Sequence, residues 1–273
     1  MGTPFEKTAL HGISLTIENG EFLGVIGHTG SGKSTFVQHL NGLLHPTTGT
    51  VTVNGVDISA STEEAKKMRH KVGMVFQYPE HQLFEETIAE DIAFGPKNLG
   101  LSADEVDERV RDAMKFVGLD YNTYAERSPF HLSGGQMRRV AIAGVVAMNP
   151  DFLVLDEPSA GLDPFGREEI FEEIIRLHKE KGITVILVSH NMEDISRMAS
   201  RLVVLDKGRI VLDGEPMDIF NNHRDALQAV GVDVPPVSVT MEYLREQGID
   251  VSNRVLSVDD AVQAILEGGS HVK

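Results

Sequence analysis

Apolar residues in this chain fall into two patterns. Short unbroken runs occur at Phe22–Ile26, in "VGMVF" before Gln77, at Phe152–Leu155 and at Thr184–Val188. Runs of that length bounded by turn residues read as buried strands. Between them, apolar positions recur every three or four residues, as in Phe36, Val37, Leu40, Leu43 and Leu44 after the first run. That spacing gives a helix with one buried face. Strand and helix alternate from about residue 11 to 85 and from about 150 to 213, which predicts an α/β core. From roughly 86 to 149 the strand pattern vanishes and helical text such as "ADEVDERVRDAMKFVGL" takes over. "VVLDKGRIVLDGEP" reads as a hairpin turning at Lys207-Gly208, and a mostly helical tail with a Pro235-Pro236 break follows Gly214. The expected organisation is one domain over 1–214, with a helical subdomain at about 86–149, and an extension over 215–273.

Composition narrows the function. The 273 residues are 41% hydrophobic, enough for a sizeable core. A formal charge of −16 repels phosphodiester backbone and anionic lipid headgroups, so no nucleic-acid partner and no direct membrane adhesion are expected. The absence of cysteine excludes disulfides and thiolate-bound metals and fits a reducing cytosol. "MGTPFEKTAL" has neither the basic start nor the apolar stretch of a signal peptide. Apolar runs such as Val140–Met148 fall far short of the ~20 residues that a membrane span needs. A membrane role therefore requires a protein partner.

Between the first strand and its helix lies Gly27-His28-Thr29-Gly30-Ser31-Gly32-Lys33-Ser34, which fits G-x-x-x-x-G-K-[ST] in the strand–loop–helix context the motif requires. Glycines let successive N–H groups converge on a phosphate, and the helix start adds partial positive charge. Lys33 can reach the β- and γ-phosphates, and the Ser34 hydroxyl can ligate Mg²⁺. The loop alone says nucleoside triphosphate and nothing about the task.

Further groups fit a hydrolytic site. Asp156 ends an apolar strand and can hold Mg²⁺ through water, while Glu157 is placed to polarise an attacking water. His190 sits at the tip of the Thr184–Val188 strand as a candidate γ-phosphate contact. Gln77, just past its own strand, has an amide that could reach Mg²⁺ or the attacking water. A second glycine turn, Leu132-Ser133-Gly134-Gly135-Gln136, precedes an apolar helix. Ser133 can cap that helix, and the two glycines expose N–H groups.

The phosphate loop, Gln77, "LSGGQ", "LVLDE", "SAGLD" and His190, in that order, resemble the ATPase subunit of an ABC transporter over nearly the whole chain. The resemblance implies a P-loop NTPase of ABC-ATPase type with a RecA-like core, an inserted helical subdomain and a small, mostly helical C-terminal extension. It implies ATP and Mg²⁺ as cofactors, with nucleotide contacts from Gly27, His28, Thr29, Gly30, Ser31, Gly32, Lys33, Ser34 and Thr35. Catalysis falls to Glu157, His190 and Gln77, and metal ligation to Ser34, Gln77 and Asp156. Ser133, Gly134, Gly135 and Gln136 would cap the γ-phosphate of ATP held by a second subunit, and Ser159–Asp163 would be the strip through which the two sites touch.

Val75–Leu101 is more particular. "VFQYPEHQLFEETIAEDIAFGPKNLGL" resembles the energy-coupling factor transporters, importers of vitamins and metal ions, and within them the second, A-prime, ATPase type. That implies a second homologous ATPase subunit as partner in a heterodimer. It also implies an integral membrane coupling subunit met near Gln82–Asp91, a substrate-specific membrane subunit reached indirectly, and a place on the cytoplasmic face of the cell membrane. Glu80, Glu85, Glu86, Glu90 and Asp91 around Gln82, Leu83 and Phe84 suit an arginine-bearing partner helix, although a solvated acidic face fits the same text. The extension after Gly214 would help the pair stay associated; a lid or regulatory module fits it as well. Family members usually begin with an extra strand and an aromatic that stacks on adenine. Here either Phe5 supplies the ring or it lies in sequence ahead of this start. Two other readings compete. A soluble ABC ATPase of translation or DNA repair would bring tandem domains or a coiled-coil insert and basic surfaces. A nucleotide-binding partner with degenerate catalysis would lack some of Lys33, Asp156, Glu157 and His190.

Overall fold

The computed structural model describes residues 8–268. From the N-terminus these form β1 (Phe22–Ile26), α1 (Lys33–Leu40), the short β2 (Thr52–Val53) and β3 (Val56–Asp57), α2 (Glu63–His70) and β4 (Val72–Val75). A helical stretch follows: α3 (Ile88–Asn98), α4 (Ala103–Phe116), α5 (Tyr121–Tyr124) and α6 (Gly134–Val146). Alternation then resumes with β5 (Phe152–Asp156), α7 (Pro164–Lys181), β6 (Thr184–Val188), α8 (Met192–Met198), β7 (Arg201–Asp206) and β8 (Arg209–Gly214). Four helices close the chain: α9 (Pro216–Asn222), α10 (Arg224–Ala229), α11 (Pro236–Glu246) and α12 (Val258–Gly268). The chain divides into two compact units, one of Val37–Ile186 and one of the residues up to Phe36 with those from Leu187 onward.

In the second of these, β1 runs parallel to β7, with Leu23 opposite Arg201 and Ile26 opposite Val204. β8 returns antiparallel from the Lys207-Gly208 turn, where both residues take positive φ (45° and 72°). Two successive left-handed residues match the twist of a two-residue hairpin. Arg201 ties this unit's edge together, pairing with Asp213 across the hairpin and Glu21 ahead of β1 and donating to the Thr16 carbonyl. The hydrogen-bonded Asp213 carboxylate, with Glu21, raises the affinity of that guanidinium for its proton. At the C-terminal end, α11 and α12 close a small core around Met241, Val251, Val255, Ala261 and Ala264.

In the Val37–Ile186 unit, β4 and β5 are parallel, with Val72 opposite Phe152 and Val75 opposite Leu155. Every residue of β4 is buried, as the unbroken apolar run requires. α6 lies close against β4, because Gly73 has no side chain: a Cβ there would meet Val145 Cγ1 at 2.7 Å. α4 starts with a capping box, Ser102 with Glu105, and buries Val106, Val110, Ala113 and Met114 on one stripe. One expectation fails. α1 ends at Leu40 and the chain turns at Gly42 (φ 74°), so Leu43 and Leu44 are not on its buried face and are exposed. Among the described residues no helix is long and apolar enough to cross a membrane.

Candidate nucleotide site

The phosphate loop follows β1, whose five residues are all buried. Gly27 (φ 154°) passes so close to the end of β7 that a Cβ would lie 2.3 Å from the Leu205 carbonyl oxygen and 2.6 Å from Ser31 Oγ. The Gly208 N–H donates to the Ser31 carbonyl at 2.7 Å, and the His11 N–H to the Gly208 carbonyl at 2.8 Å, so the hairpin turn and the N-terminal segment clamp the loop. His28 reaches Asp206 through Nε2 at 2.8 Å and the Thr29 carbonyl through Nδ1 at 2.7 Å. Gly30 and Gly32 take φ of 84° and 107°, values that turn loop amides outward at little steric cost. Lys33 lies over the loop and donates to the Gly27 and His28 carbonyls at 2.6 and 3.1 Å. Ser34 is exposed and Thr35 half-buried in the first turn of α1. Ser31 is fully buried, and its hydroxyl has no hydrogen-bond partner. His190, also in this unit, stands exposed just beyond β6, directly before Asn191, which caps α8 by accepting from the Glu193 and Asp194 N–H groups.

The Val37–Ile186 unit carries the remaining groups. Asp156 ends β5 and is only 6% exposed. Glu157 follows at φ 53°, a left-handed conformation that costs a non-glycine residue of order 1–3 kcal/mol and persists only where its surroundings enforce it. The Ala160 N–H closes the turn onto the Glu157 carbonyl at 3.1 Å, and Asp163 caps α7 through the Gly166 N–H at 2.7 Å. Gln77 is exposed beyond β4, and Tyr78 beside it is left-handed (φ 57°), so the chain enters a 3-10 turn over Pro79–Gln82.

The second glycine turn differs physically from the first. α6 begins at Gly134, with Ser133 as N-cap, as expected, in a capping box with Gln136. Gln136 is engaged there: its Oε1 accepts from the Ser133 N–H and its Nε2 donates to the Tyr124 hydroxyl. Gly134 and Gly135 occupy the first two helical positions, whose N–H groups no intrahelical acceptor can reach. Neither has positive φ. A Cβ on Gly134 would meet nothing within 4 Å, and one on Gly135 only Leu162 Cδ2 at 3.8 Å. Among the described residues no close contact demands glycine at either position, although glycine costs a helix up to about 1 kcal/mol relative to alanine. The space beside both positions is open to the outside.

The acidic segment is less free than its sequence implies. Asp91 accepts the Phe84 and Glu85 N–H groups, each at 3.0 Å, and Glu90 accepts the Thr87 hydroxyl at 3.0 Å. Glu80 is bound by Arg138. Glu86 and Glu90 are exposed and Glu85 is half-buried, beside an exposed edge-to-face pair of Phe84 and Phe94 with centroids 4.9 Å apart. Phe94 and Arg138 were not singled out in the sequence. Arg138 had a signal, since it shares four-residue spacing with buried Ile142 and Val146. Phe5 lies outside the described residues.

The model of the family described as "ABC transporter" matches residues 10–160. An energy-coupling factor transporter ATP-binding protein EcfA2 from Clostridium tetani is 54% identical over 97% of this chain and 92% of its own length. Its namesake from Bacillus cereus is 51% identical over 98% and 93%. Among solved structures, cbiO1 from Clostridium perfringens, described as part of the ABC transporter complex cbiONQ, superposes with a TM-score of 0.72 at 37% identity, covering 86% of this chain and 92% of that one. The cassette MJ0796, as a dimer in a post-hydrolysis state with ADP and Pi, gives 0.68 at 31% identity over 76% and 90%.

The open space at the second turn leads to a measurable outcome. Gly135→Ala should fold as well as the parent or gain up to about 1 kcal/mol, read from the urea midpoint at unchanged slope. A clear loss of stability would show that glycine is needed by the chain itself.

Proposed function

This chain belongs to the ABC transporter family, as an ATP-hydrolysing subunit of an energy-coupling factor importer that works with a paired ATPase and membrane components, and we propose that each of its two glycine turns serves a different ATP. The phosphate loop, Gly27 to Ser34 with Thr35, holds the β- and γ-phosphates of this subunit's own nucleotide, with Lys33 as the charged contact. The Ser133–Gln136 turn caps the γ-phosphate of the nucleotide on the partner ATPase. The observation that carries this reading is the start of α6, where two glycines leave their amides and the surrounding space open for a ligand this chain does not supply. A phosphate fits that chemistry.

In the proposed hydrolytic step Glu157 accepts a proton from the attacking water while Gln77 and His190 orient the water and the γ-phosphate. The hard oxygen donors Ser34 and Asp156, with the Gln77 amide, suit Mg²⁺, which when bound neutralises charge developing on the phosphate oxygens. ATP binding draws the paired subunits together, and hydrolysis releases them. The partner is a second, homologous ATPase, giving a heterodimer, and the assembly imports a vitamin or metal ion chosen by a separate membrane subunit. The coupling subunit docks on Gln82–Asp91 at the cytoplasmic face of the membrane. There the Phe84–Phe94 pair offers an apolar anchor, and Glu85 and Glu86 suit an arginine-bearing helix. The extension beyond Gly214 helps hold the ATPase pair; α11 and α12 support this by exposing Val239, Tyr243, Val258 and Val262 around their small core.

Glu157→Gln should lower turnover on the order of 10²–10⁴-fold, about 3–5 kcal/mol of transition-state stabilisation, while ATP binding is retained. Near-normal turnover, measured as phosphate release, would remove Glu157 from the role. Reversing Glu85 and Glu86 to lysine should strip the membrane subunit from the complex during co-purification. Intact assembly would show that these carboxylates do not form the docking surface.

A further inference from the structure

Arg138 is the largest fully buried side chain of the described residues that carries a charge, with 2% of it exposed. It lies one turn into α6 and reaches two other segments. Its Nε and Nη2 grip both oxygens of Glu80 at 3.1–3.2 Å, within the 3-10 turn that follows Gln77. Its Nη1 donates to the Ala160 carbonyl at 2.5 Å. Ala160 in turn donates its N–H to the Glu157 carbonyl, closing the turn that keeps Glu157 left-handed. Glu80, 16% exposed, stands just before the Phe84–Asp91 surface.

A simple buried ion pair would need only the carboxylate. The planar guanidinium does more, because its five donors serve two acceptors on different segments in one rigid geometry. A displacement of Pro79–Gln82 by a protein pressed on the neighbouring surface would move Glu80, rotate the guanidinium and shift the Ala160 carbonyl. The α6 helix that bears Arg138 also bears the Ser133–Gln136 turn.

We propose that Arg138 is a positioning residue that transmits the placement of the Pro79–Gln82 turn to the Glu157 turn and to the start of α6, so that turnover depends on how that segment is held. This rests on the reading of Glu157 as the group that polarises water.

The test uses the assembled transporter, purified through this chain together with its ATPase and membrane subunits. Phosphate release and thermal midpoint are measured for Glu80→Gln, Arg138→Gln, Arg138→Lys and the exchanged pair Glu80→Arg with Arg138→Glu. The account expects kcat to fall on the order of 10–100-fold in the single variants, with KM for ATP within about twofold, because misplacement by about an ångström costs that much rate. Arg138→Lys and the exchanged pair keep opposite charges facing each other, so their midpoints should stay near the parent's. A lysine ammonium lacks the rigid fork that meets Glu80 and the Ala160 carbonyl together, and in the exchanged pair the carboxylate at position 138 has no donor for that carbonyl, so kcat should stay low in both. Turnover that recovers together with the midpoint would make the pair a purely structural one and overturn the proposal. So would parental rates in Glu80→Gln and Arg138→Gln. Glu157→Gln runs alongside: if it alone keeps turnover, the reading of Glu157 fails, whereas an inactive Glu157→Gln with active Arg138 variants sinks only the transmission.

Discussion

The first N–H groups of an α-helix have no acceptor within it, and a protein must cap them, hydrate them or give them a ligand. Two helices here, α1 and α6, begin in glycine turns that leave such groups available, and the surroundings of the two turns differ. Around α1 the glycines answer to the chain itself: Gly27 slides beneath the Leu205 carbonyl, and Gly30 and Gly32 take backbone angles that disfavour a side chain. Around α6 they answer to nothing internal, since Gly134 and Gly135 have ordinary helical angles and open space. Open space and unpaired helical N–H groups at such a turn are what the proposed capping of a second subunit's nucleotide would use. On the proposed reading, this asymmetry makes the subunit half of a site as well as the owner of one.

Packing within the Val37–Ile186 unit sets the position of α6. Gly73 lets α6 settle directly on β4, and Ser133 with Gln136 fixes where the helix begins. Arg138 then joins α6 to the Pro79–Gln82 turn and to the Ala160 carbonyl just beyond Glu157. A guanidinium this deeply buried is tolerable only when its donors are met. The same requirement that keeps the unit folded therefore makes the positions of Glu80, Ala160 and α6 interdependent. Phe84, Phe94 and Glu86 are exposed on this segment, while Asp91 holds its backbone and Glu90 its first helical turn.

Much of this was legible in the sequence because it is local. β1, the phosphate loop and α1 are contiguous, Asp156 and Glu157 end a run of apolar residues, and Ser133 caps a helix three residues from its box partner. What escaped depended on distance or on a single turn. Arg138 and Glu80 are 58 residues apart, so neither the pairing nor the burial of that cation could be read from spacing. Glu80 and Asp91 resembled free surface acids because their partners, a remote guanidinium and two backbone amides across a loop, leave no periodic trace. Leu43 and Leu44 kept helical spacing after the helix had ended, since Gly42 turns the chain and periodicity does not register where a helix stops.

The claim that half of each ATP site comes from a neighbour is tested most directly by the solution mass of the Glu157→Gln protein, followed by light scattering with and without Mg-ATP. The single chain has a mass of 29.9 kDa. The account predicts an ATP-dependent species of two ATPase chains when the companion ATPase from the same transporter is present, and separation when nucleotide is removed. A particle that binds Mg-ATP with full affinity yet keeps the single-chain mass, with the companion present, would contradict it.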